Sequence, residues 1–285
     1  MSLDFYRQPA TMSATGQCAP LFDGLPRDIG ALTRIVQGLL IHEHIAPAYG
    51  VSLTGAQHAE AHLRPVESML ERIAAHDATP IAAARPAGER LVCVCRHFTL
   101  LLVAMLRSQG VPARARCGFG AYFEKGKFFD HWVTEYWNAA QARWVLVDAQ
   151  IDERQRELFK IEIDTLDVPR DQFLIAGDAW RLCRAGKADP KVFGILDMFG
   201  LWFIASNVIR DLASLNNREM LPWDTWGIMT RVDKDLDIEL LDRLAALTRE
   251  PDAHFDELRA VYEKDKRLRV PDVVFNNVLN RSEAA

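Results

Sequence analysis

The stretch LVCVCRHFTLLLVAMLRSQGVPAR, residues 91–114, decides how the rest of this 285-residue chain is read. Phe98, Leu102, Met105 and Leu106 recur at helical spacing, and Gly110-Val111-Pro112 stops the run. A helix is therefore expected to open near Cys95 with the thiol in its first turn on the buried face. The positive end of a helix dipole favours thiolate there. Two further stretches follow: DHWVTEYW at 130–137 and RWVLVDAQ at 143–150. Both are rich in Val, Trp, Thr and Tyr and read as strands. Residues 138–141, Asn-Ala-Ala-Gln, make a hairpin loop of ordinary length. A bulge-free hairpin closing there sets Trp137 against Ala142 and His131 directly across from Asp148, with Cβ atoms ~4.5–5.5 Å apart. A single bulge would turn one partner to the other face.

Thiol, imidazole and carboxylate are the parts of cysteine nucleophile chemistry. The imidazole takes the thiol proton, and the carboxylate fixes its tautomer and stabilises imidazolium. Each residue also has a structural reading. A cysteine opening an apolar helix is usually a small buried hydrophobe. A strand histidine is commonly a satisfied structural residue, and Asp148 ahead of Ala149-Gln150 suits a turn cap. Jointly, with the cross-strand register and the helix exit over residues 106–114, they point to a triad of Cys95, His131 and Asp148.

The helix exit Leu106-Arg-Ser-Gln-Gly-Val-Pro-Ala-Arg114, the His131-Trp132 pair and the spacing from Trp144 to Asp148 resemble the core of the transglutaminase-like superfamily, a papain-related group of Cys-His-Asp enzymes. The resemblance covers about residues 88–152, and the wording around His131 is also similar to peptide N-glycanases of the same superfamily. The flanks resemble stand-alone bacterial transglutaminase-like proteins. One departure is Cys93, since a small or polar residue often stands two before the nucleophile. The resemblance implies acyl transfer or hydrolysis on an amide through a thioester at Cys95. Water or a second amine resolves the thioester. No cofactor is expected: no Asp-rich loop of EF-hand type is present to support the calcium dependence of animal transglutaminases. Related enzymes complete the oxyanion hole with an upstream Trp or Gln side chain. No Trp precedes Trp132, so Gln37, on the apolar stripe of an early helix, is the candidate, with bonding to neighbouring backbone as its plain alternative.

The expected fold is α+β: a papain/transglutaminase-like core, with the nucleophile helix on an antiparallel sheet and helical N- and C-terminal segments. The expected division is 1–87 as an N-terminal helical segment, 88–152 as the catalytic core and 153–285 as a mostly helical cap. Residues 1–27 read as an extended lead-in. From Asp28, a suitable N-cap, a helical stripe runs through Ile29, Leu32, Val36, Leu39 and Leu40. Thr54 opens a second helix that Pro65 kinks or breaks. Residues 77–90 read as a loop. Strands are expected at 112–123, 128–137 and 142–149.

Phe193 to Leu215 reads as a long apolar helix with Asn207, Arg210 and Asp211 late in it. Trp223, Asp224 and Trp226 follow closely. Apolar walls with a few fixed polar groups are what a substrate cleft needs, and also what a domain interface needs. Trp132, Asn207, Arg210, Trp223 and Asp224 are the cleft candidates, and a guanidinium there would suit a carboxylate-bearing substrate.

Five cysteines without regular spacing argue against a disulfide framework and for a reducing compartment. The net charge of −5, with signs mixed, leaves no basic footprint for nucleic acid and no polybasic anchor. The first residues lack a charged-then-apolar signal pattern. The most apolar run, Met198 to Ile209, is short of the ~20 residues a bilayer needs. A cytoplasmic enzyme without nucleic-acid or membrane partners is expected, acting on a peptide, protein or small amide. His58 and His62 share a helix face and His42-Glu43-His44 is close in sequence, but no third ligand announces itself, so no metal site is expected. His97 is expected to point away from the thiol. Two rival readings stand: a peptidase, amidase or N-glycanase-like hydrolase with the same triad, and a non-catalytic binding module on the same fold.

Overall fold

The structure, a computed structural model, describes residues 2–285 and is of the α+β class. Two compact units share the chain. The first takes Leu3–Ala115 and Val133–Val168, the second Arg116–Trp132 and Pro169–Ala285. The division thus passes twice through the segment 88–152.

The first unit opens with helix α1 (Ser2–Arg7), where an extended lead-in was expected. Tyr6 explains the difference: its buried ring meets Trp144 edge-on at 5.9 Å, and Arg114 lies over both rings. Helix α2 (Ile29–Leu39) begins where expected, capped by Asp28, whose Oδ1 accepts the Ala31 N–H at 2.8 Å. Strand β1 (Leu40–His42) follows directly. Thr54 does open a helix with a reciprocal cap to Gln57, but α3 (Gly55–His58) is one turn long and passes into a 3-10 turn. Pro65 then separates it from α4 (Val66–His76), as its missing N–H requires. Strand β2 (Leu91–Cys93) runs parallel to β1, pairing Leu40 with Leu91 and His42 with Cys93. Helix α5 (Cys95–Ser108) is buried from Cys95 to Arg107. It is therefore an internal helix rather than one with a solvent face.

Strands β3 (Ala113–Gly120) and β4 (Phe128–Asn138) pass from one unit to the other. In the first unit the later half of β4 pairs antiparallel with β5 (Arg143–Val147), and Thr134 Oγ1 donates to the Thr99 carbonyl of α5 at 3.1 Å. The unit ends with α6 (Glu153–Phe159), capped by Asp152.

In the second unit β6 (Phe173–Ile175) pairs antiparallel with β3 and leads into α7 (Ala176–Arg184). Gly118 permits that pairing, because a Cβ there would stand 2.2 Å from the Leu174 carbonyl oxygen. The expected long helix from Phe193 is shorter. Strands β7 (Phe193–Ile195) and β8 (Met198–Phe199) form a hairpin before α8 (Leu201–Leu215). The glycines at its ends account for this: Gly194 has φ 158° with no room for a Cβ against Met198, and Gly200 has φ 116°. The strand order is β6-β3-β4-β7-β8. The β4–β7 pair is parallel, so the expected antiparallel sheet is in fact mixed. Strand β9 (Asp224–Thr225), helices α9 (Ile238–Arg249) and α10 (Phe255–Lys264), and the hairpin of β10 (Val273–Asn276) with β11 (Arg281–Ala284) complete the unit.

Candidate active site

Cys95 is the first residue of α5, so its thiol lies where the helix dipole is most positive. The preceding Val94 has no side chain to cap the helix. His97 does this instead: its Nδ1 accepts the Val94 N–H at 3.3 Å while Nε2 donates to the Leu63 carbonyl at 2.9 Å. Acceptance at Nδ1 requires that nitrogen to be unprotonated, so the two bonds together need the neutral ring. Burial, and then the charge of Arg96, push the His97 pKa down to about 3, so the ring stays neutral. It is a cap and takes no thiol proton. Cys93, at the end of β2, is fully buried, and burial pushes its thiol well above the ordinary range. A thiol held protonated in this way is a poor nucleophile.

Asp148 stands just beyond β5. The β4–β5 ladder runs from Asn138↔Arg143 to Thr134↔Val147, with Trp137 opposite Trp144. The expected register, with Trp137 opposite Ala142 and His131 opposite Asp148, is therefore corrected. The reason lies in the turn. Asn138 stays in the ladder while its Oδ1 accepts the N–H groups of Ala140 and Gln141, each at 3.1 Å, and Ala142 turns into the loop with φ 51°. A displacement by two residues keeps every side chain on its expected face but changes its partner. Continued by one step, this register would set Asp148 against Val133. The ladder stops short of that, and the Asp148 N–H bonds to the Thr165 carbonyl at 2.8 Å.

The Asp148 carboxylate is fully buried, and its Oδ1 accepts the Gln150 N–H at 3.0 Å, the turn-capping contact its sequence context allowed. Behind it lies a chain of amides. Gln150 Nε2 donates to Gln155 Oε1 at 2.9 Å, and Gln155 Nε2 donates to the Gln150 carbonyl and to Tyr49 Oη, both at 3.1 Å. Tyr49 in turn donates to Asp152 at 2.7 Å. Sequence reading missed this chain, although the polar run Gln150, Asp152 and Gln155 after an apolar strand was its only local mark. Gln37 donates from Nε2 to the Ile151 carbonyl at 3.0 Å, a backbone contact with the segment just after Asp148.

His131 lies in the second unit, buried on β4 among aromatic rings: Phe123 at 5.0 Å, Tyr122 at 6.0 Å and Phe173 at 6.4 Å between centroids. Trp132 is buried, and among the described residues its Nε1 finds no hydrogen-bond acceptor. Three of the cleft candidates join one buried network. Asn207 on α8 donates to Asp130 at 2.7 Å, Arg210 donates to Asn207 Oδ1 at 3.0 Å and to the Asp224 carbonyl at 3.1 Å, and Asp224 accepts the Leu221 N–H. Burial raises the Asp130 pKa, against the pull of Arg210, Asn207 and His131. These contacts tie α8 to the strand position just before His131 and to the turn before β9. Trp223 is half-buried beside that turn.

Of the histidines, His58 meets Glu43 at 3.2 Å and His42 Nδ1 accepts the His44 N–H at 3.3 Å. Among the described residues no group of three or more His, Cys, Asp or Glu side chains is placed to hold a metal ion. Among the described residues no helix is long and apolar enough to cross a membrane.

A family model described as the transglutaminase-like superfamily matches residues 74–149, from the end of α4 to the residue after Asp148. No curated relative matches the chain. Among solved structures, a candidate cysteine protease from Cytophaga hutchinsonii aligns at 14% identity and a TM-score of 0.34. The alignment covers 61% of this chain and 45% of that one, so this chain answers to under half of its length.

Proposed function

From a chain whose residues 74–149 belong to the transglutaminase-like superfamily, we propose a cysteine-dependent acyl transfer or hydrolysis on an amide, carried by Cys95, His131 and Asp148. The observation that carries the reading is the position of Cys95. It is the first residue of a buried helix, its neighbour Cys93 is held as a thiol, and His97 is committed to capping. Of the two thiols, Cys95 is therefore the one whose thiolate the helix start favours.

The steps follow from the residue types. His131 accepts the Cys95 proton, and sulfur forms a bond to the carbonyl carbon of the acyl donor. The carbon–nitrogen bond then breaks, and imidazolium returns the proton to the leaving amine. Water or a second amine attacks the thioester, gives its proton to His131 and frees the sulfur, which is reprotonated. Asp148, fixed by the Gln150 N–H, orients the ring. The Cys95 backbone N–H at the helix start is the natural first oxyanion donor. The acyl donor is a peptide, a protein or a small amide. The acceptor, water or amine, decides between hydrolysis and transamidation.

An activated ester tests the reading without knowledge of the natural substrate. With 4-nitrophenyl acetate, the full chain is expected to release a burst of nitrophenolate stoichiometric with protein. Intact mass should show one acetyl group, mapped to Cys95 and absent from Cys95→Ala. No burst and no acetyl on Cys95 would leave the fold as a binding module.

A further inference from the structure

The imidazole environment carries an inference about substrate choice that rests on the reading above. The connection between β3 and β4, residues 121–127, turns two aromatic side chains back over the strand. Phe123 and Tyr122 lie 4.7 Å apart and both pack against His131 in T-shaped contact, with interplanar angles of 75° and 88° to its ring. Phe129, two residues before His131, meets Phe123 edge-on at 6.1 Å. Tyr122 and His131 are buried, whereas Phe123 and Phe129 are only half-buried, so the cluster is open along these two rings.

Gly120 shows that the arrangement is built into the chain. A Cβ there would stand 2.8 Å from the Phe123 ring and 3.2 Å from that of Tyr122. Its φ is not in the left-handed region, so space rather than backbone freedom accounts for the glycine. The tip of the same connection is polar and exposed: Glu124, Lys125 and Lys127, with Lys127 paired to Glu124 at 2.9 Å. The connection therefore sends its charges outward and its rings to the imidazole. Half-open apolar rings beside a catalytic base make a subsite for an apolar group rather than for a charge.

We propose that Phe123 and Phe129 form a specificity-determining wall at His131, which receives an aromatic or bulky apolar group close to the reacting carbonyl of the substrate. Offset or edge-on contact with Phe123 is the mode such a group would use.

Two alkylating reagents test this on the full chain: iodoacetamide and N-benzyl-iodoacetamide. In both the Cys95 sulfur forms a bond to carbon as the carbon–iodine bond breaks, and iodide leaves. The ratio of their second-order rates at Cys95, divided by the same ratio for glutathione, removes intrinsic reactivity. Wild type is expected to favour the benzyl reagent by about tenfold, the scale on which apolar pockets discriminate. Phe123→Ala and Phe129→Ala should bring the ratio near one, and Phe123→Leu, which keeps packing volume, should fall between. A wild-type ratio near one, or a ratio unchanged in Phe123→Ala, overturns the wall. Equal acceleration with both reagents in Phe123→Ala also overturns it, since the ring would then be a cover. If wild-type Cys95 reacts with iodoacetamide no faster than in His131→Ala, the triad itself fails, and the wall with it.

Discussion

At the scale of single residues, the choice of sulfur is argued from burial and position together. Cys93 lies on a strand with its thiol pushed up, and Cys95 opens a helix. Cys95→Ala should therefore abolish the acyl burst, while Cys93→Ala keeps most of it; the opposite result in the nitrophenolate assay would mean the nucleophile is misassigned. Asp148→Asn should slow acyl-enzyme formation by about 10²–10⁴-fold, the range of general acid–base catalysis. Its melting temperature should move little, because an amide oxygen can still accept the Gln150 N–H. Gln155→Leu is the complementary case. It strips partners from Gln150 and Tyr49, leaving buried polar groups unpaired, which should lower stability by about 1–3 kcal/mol in urea titrations. The residue types of the proposed site were legible in the sequence. The amide chain behind Asp148 was not, because its link to Tyr49 spans more than a hundred positions from both Gln155 and Asp152, and no local periodicity marks such a contact.

At the scale of elements, the start of α5 makes a prediction about acid. The unfolded His97 ring titrates near its ordinary value of 6.5, and the folded one near 3. Between those values the unfolded chain holds the extra proton, so the stabilising contribution of the neutral ring is complete above about pH 6.5 and is lost as pH falls toward 3. His97→Gln keeps one donor and one acceptor without the titration. Urea midpoints at pH 7 and pH 4.5 should differ less in His97→Gln than in wild type; an unchanged difference would show that the acid sensitivity lies elsewhere. Helix and strand positions were largely readable from pattern: α2, α5, β3, β4 and β5 lie where hydrophobic spacing sets them. The β4–β5 register and the β7–β8 hairpin were not. The register turns on whether Asn138 stays in the ladder, and the hairpin on two glycines inside an apolar run that otherwise reads as helix.

At the scale of the whole molecule, each compact unit has a buried charge pair of its own. In the first, Arg114 donates to Glu135 at 2.6 Å beneath the Tyr6 and Trp144 rings. In the second, Arg116 donates to Asp211 at 2.8 and 3.1 Å and to the Thr248 carbonyl at 2.7 Å, and Asp211 also accepts the Cys117 N–H. Removing one partner leaves the other charge buried. Asp211→Ala should therefore destabilise the protein by about 3–5 kcal/mol, read from denaturant titration; a loss below 1 kcal/mol would show that water reaches the pair. The helix-then-strands pattern over residues 91–149 and the family resemblance made the α+β class readable. The two-unit organisation was not, since β3 and β4 serve both units and the sequence shows no break within either strand.

The central claim is that Cys95 is a nucleophile activated by His131 and oriented through Asp148. The pH dependence of Cys95 alkylation by iodoacetamide tests it most directly, with labelling mapped by peptide mass. Wild type is expected to react fast at neutral pH, with the rate rising at a pH below the ~8.5 of an ordinary thiol. His131→Ala should move that rise to higher pH and slow the reaction at pH 7. A wild-type profile that rises only at or above the ordinary thiol value, and is unchanged in His131→Ala, would contradict the account.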